Sequence, residues 1–267
     1  MDGFGYPTMS SFFLKEIIHP LKTVVLLSLL VFLWISCSDG RLSIMEDTPI
    51  HPSQKRSLPF RTGPISYLAL GDSYTIGQGV APSQNFPSLL TSKLKKREIE
   101  INPPLIIATT GWTTQDLLKG IREADLDNKQ FDLVTLLIGV NNQYRGQSLD
   151  DYGKDFTELL EKSLRLVGSE KERVIVISIP DWGVTPYATS LGRDKTKIAL
   201  EIDLFNEKKN SLTEALGVRY LDITTEYRSL GHMEQYLAGD DLHPSEKVYD
   251  RWSEMLLEII LNEMNLR

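Results

Sequence analysis

A single cysteine, Cys37, stands in 267 residues, so the chain cannot close a disulfide within itself. Histidine is scarce too, with four in all: His19, His51, His232 and His243. No cysteine–histidine cluster has zinc spacing, and the scattered carboxylates do not form a calcium loop, so neither a metal nor an organic cofactor is expected. Positive charge is in deficit: 29 Lys and Arg face 36 Asp and Glu, a net charge of −7. The one basic cluster, Lys93, Lys95, Lys96 and Arg97, reads as the solvated end of a helix, and an acidic chain without a basic stripe does not fit nucleic-acid binding. No internal repeat and no low-complexity segment occurs. G-x-S-x-G is missing, which excludes the nucleophile elbow of α/β-hydrolases. A glycine-rich phosphate loop after the first strand is missing too, which argues against a flavodoxin-like nucleotide binder.

Long apolar runs are confined to one place. Residues 24–36, "VVLLSLLVFLWIS", follow Lys15, His19 and Lys22 and are too short for a comfortable membrane span. They fit the apolar region of a signal peptide. The run ends at Ser36-Cys37 and so resembles a bacterial lipoprotein signal, departing from it at Trp34, where an aliphatic residue is usual. That resemblance implies lipidation of Cys37 and a membrane-anchored protein of a bacterial envelope. A secreted or periplasmic form after ordinary cleavage is the alternative, as is an uncleaved anchor. Residues 37–63 are rich in Ser, Pro and charge and read as a flexible tether. The expected organisation is a leader over 1–36, a tether over 37–63 and one folded domain over 64–267.

From Ile65 onward the pattern alternates. Short apolar runs "ISYLAL", "PLIIATTG", "FDLVTLLIGVNN", "RVIVISIP" and "VRYLDIT" read as buried strands. Between and after them, segments 85–97, 113–124, 148–167, 194–217 and 243–264 have helical spacing. Thr113 or Thr114, and Ser148, are suited as N-caps, and Pro244 is suited to the first turn of the last helix. Alternation with short connections predicts a three-layer α/β/α sandwich around a parallel five-stranded sheet. Active groups in such sheets gather beyond the carboxyl ends of the strands.

The strand ends carry "GDSYT", "TTGWTT", "GVNN" and "PDWGVTP", and a late segment reads "GDDLHP". Taken singly, each has an ordinary structural reading. Asp72 or Ser73 would cap a helix, Gly111 and Gly139 would be turn glycines, Asn141 an Asx-turn residue, and Asp240 a helix-start acid. Together and in this order they resemble the SGNH, or GDSL-type, hydrolase family. The resemblance implies a flavodoxin-like hydrolase fold and a serine esterase. Ser73 would be the nucleophile, His243 its base and Asp240 the acid that orients the base. It also implies an oxyanion hole from the Ser73 and Gly111 N–H groups and the Asn141 amide. Family substrates include lysophospholipids, acyl thioesters, short acyl esters and acetylated sugars, so the expected partner is a small-molecule, lipid or glycan ester. A non-catalytic glycan- or lipid-binding lipoprotein is the alternative.

Two positions depart from the family pattern. Asp241 stands where many members have glycine, and would compete for His243. Asn142 stands where many have aspartate. Trp112, Tyr144, Arg145 and Trp182 follow strand ends and are candidates to line a substrate pocket. His232 has no partner set and reads as a loop residue. A monomer is the default expectation.

Overall fold

The computed structural model describes residues 63–126 and 128–264. The expected leader, Cys37 and nearly all of the tether lie outside the described residues. Among those residues, no helix is long and apolar enough to cross a membrane.

The chain runs β1 (Tyr67–Gly71), α1 (Ser73–Ile76), α2 (Phe86–Lys96), β2 (Leu105–Ala108), α3 (Thr114–Glu123), β3 (Leu133–Leu137), α4 (Val140–Tyr144) and α5 (Leu149–Leu166). It continues through β4 (Val174–Ile177), α6 (Pro186–Ser190), α7 (Lys195–Ala215), β5 (Arg219–Leu221), α8 (Thr224–Leu230) and α9 (Glu246–Glu263). The five strands are all parallel, in the order β2-β1-β3-β4-β5. β1, β3 and β4 are buried along their whole length, and this is why they read as unbroken apolar runs. The edge strands β2 and β5 are partly exposed.

The order sets the layers. The step from β1 to β2 goes one way across the sheet, and every later step goes the other way. Right-handed crossovers therefore put α2 on one face and α3, α5 and α7 on the opposite face. The packing follows: α2 lies against α9, α3 against α5, and α5 against α7. The direction reverses between β1 and β3, so a crevice opens beyond their carboxyl ends. Ser73 directly follows β1, and Asn141 lies shortly after β3.

Local sequence explains most boundaries. Thr113 and Asp116 form a reciprocal cap on α3. Ser148 caps α5, with Asp150 and Asp151 in its first turn. Two expectations are corrected. "GVNN" does not extend β3: residues 140–144 coil into the short helix α4. Pro244 is not in the last helix either. It pairs with Leu237 in an antiparallel bridge, and Ser245 takes the N-cap position of α9.

Among the described residues one lysine is wholly buried in the packing. Lys209, on α7, donates from Nζ to Ile177 O at 2.9 Å, and its ammonium stands 5.7 Å from the centre of the Phe156 ring. Burial pushes its pKa down to about 7, while the nearby Asp72 carboxylate acts in the opposite sense. A lysine with a depressed folded pKa takes up its proton more readily when unfolded. Between its ordinary value and about 7, stability is therefore lost as pH falls. Denaturant unfolding of the wild type and Lys209→Met between pH 7.5 and 9.5 is expected to show this. The difference in slope should approach, at most, about 1.4 kcal/mol per pH unit, with the wild type losing stability more steeply toward neutral pH. Parallel slopes would refute the assignment.

Candidate active site

The turn after β1 is shaped by close approach. A Cβ on Gly71 would lie 2.1 Å from Thr75 Oγ1 and 2.4 Å from Leu137 O, so only glycine lets β1, β3 and α1 converge there. Asp72 takes the cap: its Oδ1 accepts the Tyr74 N–H at 3.0 Å. It is buried, and its Oδ2 has no protein partner. Burial pushes its pKa up to about 7, against the opposing pull of the Tyr74 N–H and Lys209. With Asp72 occupied as the cap, Ser73 is the first residue of α1 and its hydroxyl is left for other use.

The Asp240–His243 segment is a turn, not a helical turn as its spacing suggests. Ala238 N–H donates to His243 O at 2.8 Å, and Ser245 N–H to Tyr236 O at 2.9 Å, closing a short hairpin ahead of α9. Inside it Asp240 serves two ends at once. Its Oδ1 accepts the N–H groups of Leu242 (3.1 Å) and His243 (2.9 Å), and its Oδ2 lies 2.6 Å from His243 Nδ1. Burial alone would raise the Asp240 pKa; the His243 N–H, the His243 ring and the Leu242 N–H outweigh it and hold the carboxyl below its ordinary range. The remaining ring nitrogen, Nε2, lies 3.0 Å from Ser73 Oγ, across 170 residues of chain. Nδ1 facing a carboxylate carries the proton, which leaves Nε2 as an acceptor for the serine hydroxyl.

Asp241 makes no bond to His243. Its carbonyl accepts the Tyr187 N–H at 3.1 Å. Its backbone is left-handed, with φ +60, which accounts for glycine being suited to this position. The feared competition of a second carboxylate is therefore not seen among the contacts of His243.

The Gly111 loop and Asn141 meet beyond the ends of β2 and β3. Gly111 has φ +82. Asn141 donates from Nδ2 to Trp112 O at 3.0 Å. The neighbouring Asn142 is buried. It accepts the Thr114 N–H at 3.1 Å and donates to Thr114 Oγ1 at 2.7 Å and Gln147 Oε1 at 2.6 Å. An aspartate could accept there but not donate, so the asparagine suits these partners.

The four pocket candidates go to different places. Trp112 lays its ring on α3, where a Cβ on Gly120 would come within 2.3 Å of it. Arg145 donates from Nη2 to Gly111 O at 2.6 Å. Trp182 is buried, donating from Nε1 to Gln143 Oε1 at 2.8 Å, with the exposed Tyr144 edge-on at 5.2 Å. Only Tyr144 and Trp182 border a cleft, of about 200 Å³, which Gln143, Arg193 and Lys197 also line. The guanidinium of Arg193 stands 5.6 Å from the Tyr144 ring centre. Gln143 and Arg193 carry no motif in the sequence, and only the folded loops bring them here. A larger hollow of about 550 Å³, lined by Lys171, Arg219 and Glu263 among others, lies at the opposite, amino-terminal end of β4 and β5, away from Ser73. Among the described residues no group of three or more His, Cys, Asp or Glu is placed to hold a metal ion.

Asp241→Gly should relieve the left-handed strain and raise unfolding stability by up to about 1 kcal/mol. A shift of the thermal midpoint by a few degrees upward is the expected reading, and a downward shift would contradict it.

A model of the GDSL-like lipase/acylhydrolase family matches residues 69–251. The spore germination lipase LipC of Bacillus licheniformis is 25% identical over 213 residues, covering 72% of this chain and 94% of that protein. The psychrotrophic esterase EstA from Pseudoalteromonas sp. superposes with a TM-score of 0.58 at 17% identity, over 75% of this chain and 98% of its own. The acetyl xylan esterase AlAXEase does so with a TM-score of 0.59 at 15% identity, over 73% and 100%. The two structures share the fold, and the match to the family model spans most of the sequence. On that match, this chain belongs to the GDSL-like lipase/acylhydrolase family and is a hydrolase of ester bonds.

Proposed function

We propose that the chain cleaves carboxylic esters through an acyl-enzyme on Ser73, with His243 as the base and Asp240 as its orienting acid. The observation that carries this reading is the unbroken line of hydrogen bonds, 2.6 Å from Asp240 Oδ2 to Nδ1 and 3.0 Å from Nε2 to Ser73 Oγ. The Ser73 proton moves to His243 Nε2 as Oγ attacks the carbonyl carbon. Asp240, held ionised by its hydrogen bonds, stabilises the imidazolium. The tetrahedral oxyanion takes hydrogen bonds from the Ser73 and Gly111 N–H groups and from the Asn141 amide. Collapse expels the alcohol, which leaves with the proton from His243. Water then gives a proton to His243 as its oxygen attacks the acyl carbon, and collapse breaks the bond to Ser73 Oγ, which takes the proton back from His243 as the acid is released.

The substrate is a lysophospholipid, an acyl thioester or an acetylated sugar, and a panel varied in acyl length and leaving group separates them. We also propose, on the sequence pattern alone, that lipidated Cys37 tethers a 64–267 catalytic domain to a bacterial envelope membrane.

A fluorophosphonate probe is expected to label the wild type and leave Ser73→Ala unlabelled; equal labelling would remove Ser73 from the role. Asn141→Ala is expected to lower turnover of p-nitrophenyl acetate by about 10²–10³. Cys37→Ser is expected to move the protein from the membrane fraction to the soluble one, and an unchanged distribution would overturn the anchor.

A further inference from the structure

Three consecutive backbone N–H groups, those of residues 111, 112 and 113, form the loop that follows β2. Trp112 N–H donates to Thr109 O at 3.2 Å, and Thr113 N–H to Asp116 Oδ2 at 2.9 Å. The Gly111 N–H alone has no protein acceptor among the described residues. Two carbonyls of the same loop are taken by α4 and its C-cap. Asn141 and Arg145 stand four residues apart on α4 and at its C-cap, and so share one face. Asn141 binds Trp112 O at 3.0 Å, and Arg145 binds Gly111 O at 2.6 Å. The Arg145 Nη1 also lies 3.8 Å from Asp116 Oδ2, the carboxylate that holds Thr113. One guanidinium thus spans the loop, tying the Gly111 peptide to the brace on its far side.

We infer that Arg145 is a positioning residue for the oxyanion hole, not a contact for substrate. Its bond to the Gly111 carbonyl holds the Gly111–Trp112 peptide, and with Gly111 at φ +82 this sets the direction of the preceding peptide, whose N–H is the Gly111 donor. The planar fork suits this task, because it reaches the carbonyl and the carboxylate together while a lysine ammonium reaches one of them. This rests on the reading of Gly111 as an oxyanion donor. Acylation and deacylation both pass through an oxyanion, so a displaced donor slows both. It lowers kcat and leaves KM for a small neutral ester nearly unchanged.

The test is steady-state kinetics on p-nitrophenyl acetate with Arg145→Ala, Arg145→Lys, Asp116→Asn and the Arg145→Ala/Asp116→Asn pair, each checked by its thermal midpoint. A misplaced donor costs less than a deleted one, so Arg145→Ala is expected to lower kcat about tenfold with KM within about twofold. Arg145→Lys should recover part of the loss. Asp116→Asn keeps the acceptor for Thr113 but loses the charge, so a smaller loss is expected, and the double variant should be no worse than Arg145→Ala alone. A wild-type kcat in Arg145→Ala overturns the inference. So does a loss carried by KM, a loss confined to anionic esters, or full additivity in the double variant. Ser73→Ala distinguishes the two levels. If it still turns over the ester, the reading of the whole site fails. If it is inert while Arg145→Ala is normal, only the role of Arg145 falls.

Discussion

The contact on which the site depends is the 3.0 Å approach of His243 Nε2 to Ser73 Oγ. Neither partner arranges it. Ser73 is held at the end of β1 by the narrow convergence at Gly71 and by the cap of Asp72, and His243 is held by a hairpin that closes just before α9. The two meet because α9 packs on α2, the first long helix after Ser73. That packing sets the distance between a residue at the start of the domain and one near the end of the described chain. The geometry of this contact is a by-product of a layer contact made elsewhere.

The crevice has two walls with different construction. One wall, Asp240 with His243, is a local turn in which a single carboxylate satisfies two backbone N–H groups and one ring nitrogen. The other, Gly111 with Asn141, is assembled from two separate strand ends and needs cross-links between them. Asn141, Asn142 and Arg145 supply these, all from residues 141–145. Behind both walls lie Asp72 and Lys209, two buried groups whose pKa values are moved in opposite directions, both to about 7, by the same loss of water.

Much of the fold was legible because buried parallel strands leave unbroken apolar runs, and "YLALG", "LVTLL" and "VIVI" are such runs. The long helices were legible from their period and caps. The short ones, α1, α4, α6 and α8, were not, since four to seven residues span at most two turns and show no period. At the site, spacing alone pointed to Asp240 and His243 as neighbours but suggested a helix where a hairpin stands. The bridge between Leu237 and Pro244 depends on tertiary packing, so no local signal announces it. Trp112, Arg145 and Trp182 illustrate a further limit. Position after a strand end says that a side chain is near the crevice, and does not say whether it faces the crevice, the core or a neighbouring loop. The Asp241 substitution was visible as a departure, but its meaning came from a backbone angle.

The order of the pieces along the chain has a consequence for biogenesis. His243 lies downstream of all five strands, whereas Ser73 follows the first. In a nascent polypeptide emerging amino end first, all five strands are therefore made before His243. On the proposed mechanism the Ser73 hydroxyl therefore lacks its base until the last part of the chain is made. On the same mechanism, acyl transfer begins only when the closing helix docks, and an incompletely made copy is inert toward esters.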